Sequence, residues 1–148
     1  MNEIISWDKC FIEMAKIVSK RSKDPSTQTG AIIVDVDRQI VGLGYNGWIK
    51  GANNDDFPWS RDAKEWTETK YPYVVHCEEN AIYCSGRSAK DGTLYTTLFP
   101  CNECAKSIIQ TGIKEVVYLE DKYFDKQEWI ASRRLLEVAK IKVRQYEE

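Results

Sequence analysis

Histidine is almost absent from this chain: His76 is the only one in 148 residues. Any imidazole chemistry must run through that side chain. Long apolar runs are missing, as is an apolar N-terminal segment of the signal-peptide kind, so neither membrane insertion nor secretion is expected. Positive charge is not in excess, with 21 Lys and Arg against 23 Asp and Glu, a net −2. Such a balance does not neutralise a long polyanion, so no nucleic-acid partner is expected. Repeats and low-complexity tracts are lacking, which excludes solenoids and disordered arrays. Cysteine is odd in number, five in all, which fits a reducing cytoplasm better than a disulfide framework.

What is present is ordinary for a globular chain, 43% apolar and 30% charged. The length suits one domain over residues 1–148 with a real core. Residues 6–20 place Trp7, Cys10, Phe11, Met14, Ile17 and Val18 at helical spacing, so these are expected to be core. Pro25 bars a helix beyond the residue before it. Residues 31–34 and 40–45 read as a strand hairpin. Residues 46–72 form a long polar stretch, and Trp48, Phe57, Trp59 and Trp66 argue that it folds down onto the domain. A helix over 76–85, a strand over 93–98 and a helix opening at Pro100 come next. A strand over 116–119, a helix over 126–139 and a strand over 141–143 complete the order α-β-β-α-β-α-β-α-β. That order predicts a three-layer α/β fold, a central five-stranded mixed sheet flanked by helices.

Two short motifs carry the chemistry. His76-Cys77-Glu78 is followed, 21 residues later (79–99), by Pro100-Cys101-Asn102-Glu103-Cys104. Zinc binds imidazole nitrogen and thiolate sulfur, and a catalytic site uses three protein ligands, leaving a fourth position for water. Both segments read as helix starts, whose partial positive charge favours ionised thiols. A C-x-x-C alone is often a redox pair or half of a structural zinc site. A structural site needs a fourth Cys or His. Cys84 lies about two helical turns beyond His76, too far to close the same tetrahedron. Cys77 should point away from the metal, and Cys10 reads as core. Glu78 is then free to move protons beside a zinc-activated water. H-x-E…P-C-x-x-C is a signature of zinc-dependent nucleobase deaminases.

With these motifs the chain resembles the cytidine deaminase superfamily, and within it the deoxycytidylate deaminases. Further stretches carry the likeness: Arg21-Ser22-Lys23-Asp24-Pro25, Gly44-Tyr45-Asn46-Gly47, Lys70-Tyr71-Pro72-Tyr73-Val74, Leu98-Phe99-Pro100 leading into the cysteines, and Asp121-Lys122-Tyr123. The resemblance implies a cytidine-deaminase-like fold, one catalytic Zn²⁺, a cytoplasmic homo-oligomer, often a hexamer, and conversion of dCMP to dUMP with release of ammonia, which supplies dUMP for thymidylate synthesis. It makes His76, Cys101 and Cys104 the metal ligands and Glu78 the proton carrier. It places Asn46 against the sugar and the Cys77 backbone beside the base. Phe99 and Pro100 fall in the substrate-binding set. Arg21, Ser22 and Lys23, helped by Tyr123, are expected to read a 5′-phosphate.

Two positions depart from the family pattern. Cys77 stands where alanine is usual. Trp48-Ile49 replaces the small residue and proline that follow Gly-Tyr-Asn-Gly in relatives regulated by dCTP and dTTP. Regulation by those effectors, with the Mg²⁺ that accompanies a triphosphate, is therefore expected to be weak. Competing functions are deamination of another cytosine nucleotide or nucleoside, such as dCTP, and a non-catalytic zinc module. Glu78 argues against the last, because a structural site has no use for it.

Overall fold

The computed structural model describes all 148 residues. Five strands form one sheet: β1 (Gly30–Val34), β2 (Ile40–Tyr45), β3 (Thr93–Leu98), β4 (Glu115–Glu120) and β5 (Lys142–Gln145), in the order β2-β1-β3-β4-β5. β1 is antiparallel to β2 and to β3, whereas β3, β4 and β5 run parallel. The helices are α1 (Trp7–Ser19), α2 (Cys77–Ser85), α3 (Asn102–Thr111) and α4 (Gln127–Val138).

β1 is buried along its whole length, and its side chains alternate between two cores. Ile32 and Val34 join Tyr95 and Val117 beneath Phe11, Ile12 and Ala15 of α1. Ala31 and Ile33 join Leu94 and Val116 on the other face, against Cys77 and Ala81 of α2 and Ile108 of α3. The period-2 alternation of a strand buried on both faces thus separates the two outer layers. α4 packs on the α3 side, where Leu136 meets Phe99 and Ala105. α2 lies close on β2 because that strand presents glycine to it. A Cβ on Gly44 would stand 2.5 Å from both Ala81 N and Cys77 O.

The expected element order is the observed one, with shifts at the ends. Ser6 caps α1, its side chain accepting from Lys9 N. The stripe of α1 that faces the sheet is Phe11, Ile12 and Ala15. Trp7, Met14 and Ile17, expected in the core, are exposed, and Cys10 is only half-buried. The sheet meets a narrower arc of the helix than its apolar residues span. Residues 46–72 do fold down. Trp48 stacks on Trp59 with ring centroids 3.7 Å apart and meets Phe57 edge-on, and Phe57 stacks on Tyr73. Gly47 pairs with Val75 as an isolated bridge, which ties the stretch to the start of α2.

Candidate active site

The parallel strand β3 ends at Leu98, and the chain runs through Phe99-Pro100-Cys101 into α3. Cys101 is the N-cap of that helix, in extended conformation, rather than a member of its first turn. His76 is likewise the N-cap of α2. Neither side chain caps its helix, so both are free to face each other across the gap between the two helix starts. His76 Nδ1 lies 3.4 Å from Cys101 Sγ and 3.3 Å from Cys104 Sγ. The donor atoms of His76, Cys101 and Cys104 all lie within 4.8 Å of one another.

This cluster fits a tetrahedral zinc ion. With Zn–N near 2.0 Å and Zn–S near 2.3 Å, a tetrahedral N···S edge is about 3.5 Å, close to the observed spacings. The electrostatics agree. Cys101 is held down to about 4, chiefly because the Cys104 thiol donates to it, with His76 adding a hydrogen bond and its charge. Cys104 is pushed up by donating to that thiolate and by burial. Burial opposes the charged form of His76, but the Cys101 thiolate outweighs it and raises the imidazole to about 9. Ionising the second thiol beside the first calls for a cation among them, which ties metal binding to proton release.

Glu78 sits in the first turn of α2 and is only 5% exposed. Burial raises its pKa, against the pull of His76 and of a hydrogen bond from Thr96. Thr96 Oγ lies 3.0 Å from Glu78 Oε1. Cys77, beside it, points into the core as expected, with its sulfur 3.9 Å from the same Thr96 oxygen.

His76, Glu78 and Cys101 open onto a cleft of about 720 Å³. Of the residues expected at the substrate, Asn46, Phe99 and Tyr123 line it; Asp24, Arg61, Lys70, Lys126 and Trp129, which were not expected there, line it too. Pro100 is buried behind it. Arg21, Ser22 and Lys23 do not line it. The chain after α1 alternates inward and outward: Ser22 and Asp24 are buried, Arg21 and Lys23 exposed. The Ser22 hydroxyl donates to the Asn46 carbonyl and accepts from Asp24 N, so it is used within the protein. The cations that reach the cleft come from the 46–72 stretch and from the start of α4. Arg61 donates to the hydroxyl oxygens of Tyr71 (3.3 Å) and Tyr123 (3.5 Å) and has no carboxylate partner. No periodicity announces Arg61 or Lys126, since both lie on loops. Thr96 did carry a signal: it is a polar residue on the same strand face as buried Leu94, five positions before a ligand cysteine.

Fold and site together define an α/β deaminase-type domain, with a metal cluster at two helix starts and a buried carboxylate beside it. The model of the cytidine and deoxycytidylate deaminase zinc-binding region matches residues 5–120. A deoxycytidylate deaminase of Pongo abelii is 46% identical over 146 residues, 98% of this chain and 82% of the relative. Its Homo sapiens counterpart is 45% identical over the same shares. The crystal structure of a dCMP deaminase from cyanophage S-TIM5, in complex with dCMP and dUMP, superposes with a TM-score of 0.76. It shares 23% identity and covers 98% of this chain and 100% of its own, a likeness of fold. The chain belongs to the cytidine and deoxycytidylate deaminase family.

Proposed function

We propose that this chain deaminates dCMP to dUMP and releases ammonia, supplying dUMP for thymidylate synthesis. The observation that carries the reading is the His76–Cys101–Cys104 cluster opening on the same cleft as a buried Glu78. His76, Cys101 and Cys104 would hold the Zn²⁺, which when bound would supply an activated water at neutral pH. Glu78 takes one proton from the attacking water and gives it to the ring nitrogen, then takes the second from the resulting hydroxyl and gives it to the amine, which departs as ammonia. Burial raises the affinity of Glu78 for a proton, which suits a group that must both accept and give it. Phe99 and Trp129 supply the apolar wall for the base, and Asn46 faces the sugar.

The 5′-phosphate is read by Arg61, with Lys126 as a second charge and the Tyr123 hydroxyl as a further donor. What supports this is that Arg61 is a guanidinium in the cleft held by two phenols and by no acid. The protein is a cytoplasmic homo-oligomer, a hexamer being favoured. The exposed Trp7, Met14 and Ile17 of α1 support association, and no helix is long and apolar enough to cross a membrane. Effector control by dCTP or dTTP with Mg²⁺ is weak, because Trp48 is stacked on Trp59 where a small residue would leave room.

Ammonia release from dCMP, dCTP, cytidine and deoxycytidine tests the reading. dCMP is expected to be the best substrate by at least about tenfold. A nucleoside turned over as well as dCMP would overturn the phosphate assignment, and no turnover of any of the four by the zinc-loaded protein would overturn the reaction.

A further inference from the structure

The lining of the cleft contains an ion pair that the proposed reaction does not use. Lys70 Nζ lies 2.6 Å from Asp24 Oδ2, and the side chains are 8% and 1% exposed. Such buried pairs are weak sources of stability, because desolvation offsets most of the attraction. This one stands on the cleft wall, outside the three apolar cores.

Every acceptor position of Asp24 serves the protein. Oδ1 accepts from Ser26 N (2.8 Å) and Thr27 N (3.2 Å), which shapes the 24–27 turn. Oδ2 accepts from Lys70 and, at 3.3 Å, from Asn46 Nδ2. The turn in its turn aims the Thr27 carbonyl at Asn46, which donates to it at 2.9 Å. Thr29 N donates to Asn46 Oδ1, also at 2.9 Å. A backbone carbonyl can only accept and a backbone N–H can only donate, so the amide cannot be turned over. Both Nδ2 protons are engaged. One lone pair of Oδ1 remains for a ligand in the cleft. Asn46 can therefore accept a hydrogen bond from a ligand and cannot give one.

We propose that Lys70 is a positioning residue for substrate selection: through Asp24 it locks the Asn46 amide so that Oδ1 accepts from a hydroxyl of the nucleotide sugar. On a 2′-deoxynucleotide carrying a 5′-phosphate, that hydroxyl is the 3′-OH. This deepens the reading of the cleft as a deoxynucleotide site and rests on it. Lys70 comes from the 46–72 stretch and Asp24 from the segment after α1, so the lock joins two segments that are remote in sequence.

The test is a double-mutant cycle on the zinc-loaded protein. kcat/KM is measured for dCMP and for its 2′,3′-dideoxy analogue in wild type, Asn46→Ala, Lys70→Met and the double variant. Wild type is expected to prefer the hydroxyl-bearing substrate by about 10–100-fold. Lys70→Met should bring that preference to within about threefold while turnover of the dideoxy analogue changes less than threefold. It should have no further effect on the preference in the Asn46→Ala background. Lys70→Arg should restore most of the preference. A Lys70→Met variant that lowers both substrates equally, or acts the same with Asn46 absent, overturns the proposal. Independently of turnover, hydrogen exchange of the Asn46 side-chain amide should speed up at least tenfold in Lys70→Met; unchanged exchange overturns the lock itself. If exchange responds but dCMP is not deaminated at all, the lock stands as geometry, its part in substrate selection is overturned, and the functional reading fails separately.

Discussion

The hydroxyl of Thr96 stands 3.0 Å from Glu78 Oε1 and 3.0 Å from the carbonyl oxygen of Leu98. It has one proton and two acceptors. With Glu78 ionised, Thr96 donates to the carboxylate. With Glu78 protonated, the acid can donate to Thr96 Oγ, which is then free to donate to Leu98. Both forms of the carboxyl group therefore find a partner without any movement of β3.

Thr96→Val tests that relation with little change of volume in a fully buried site. kcat is expected to fall about tenfold with KM nearly unchanged, because the lost hydrogen bond is worth about 1 kcal/mol or somewhat more to a charged acceptor. Thr96→Ser should recover most of it. Steady-state kinetics beside a zinc assay decide the matter, and a Val variant within twofold of wild type would remove Thr96 from the machinery.

Glu78→Gln and Cys104→Ser should fail in opposite ways. The first should keep its zinc and fold and lose turnover by about 10²–10⁴-fold, since a proton carrier is gone and a ligand is not. The second should lose zinc and melt at a lower temperature, because metal binding at such sites is coupled to folding. Metal analysis and calorimetry on the two purified proteins check this. Full zinc occupancy in Cys104→Ser would contradict the ligand assignment.

Arg61→Ala and Arg21→Ala separate two locations for phosphate recognition. A charge-assisted hydrogen bond contributes roughly 1.5–3 kcal/mol, about one to two orders of magnitude. kcat/KM for dCMP should drop by that much in Arg61→Ala, with deoxycytidine little affected. Arg21→Ala should stay within about threefold, because Arg21 is exposed and does not line the cleft. The reverse pattern would return the phosphate to the end of α1.

Asp8 predicts an acid-sensitive part of the stability. Its carboxylate accepts from Arg144 at 2.5 and 2.9 Å and from the Tyr95 hydroxyl at 2.8 Å, which joins α1 to β5 and β3. The Arg144 hydrogen bonds, against partial burial, hold its pKa below the ordinary 3.8. The folded pKa lies below the unfolded one, so the stabilisation is complete above the unfolded value and lost as pH falls through the folded value. Asp8→Asn should cost about 1–3 kcal/mol at pH 7. That gap should narrow below about pH 4, as read from denaturant unfolding of both proteins side by side in the same metal state. A gap constant down to pH 3 would show that the carboxylate charge is not its source.

The chemistry was legible in the sequence because it is carried by residue types that few other roles demand. One histidine, a C-x-x-C and an acid two residues from the histidine are scarce enough that spacing alone brought them together. The strand and helix order followed from apolar periodicity, which is a local property. Periodicity does not say how wide an arc of a helix the sheet will cover. Trp7, Met14 and Ile17 therefore looked like core and are exposed.

Sequence alone thus determined the His76–Cys101–Cys104 cluster, the acid beside it and the layer order, since each depends on residues close in the chain or on side chains of scarce types. Only the tertiary structure decided which cations reach the cleft. Arg21 and Lys23 point outward because the chain between α1 and β1 turns inward at Ser22 and Asp24. Arg61 and Lys126 arrive from loops whose paths depend on aromatic packing and on the end of β4. The Lys70–Asp24–Asn46 arrangement joins positions up to 46 residues apart. Its physical reason is convergence of separate segments on one buried carboxylate, a condition that no single stretch of sequence expresses.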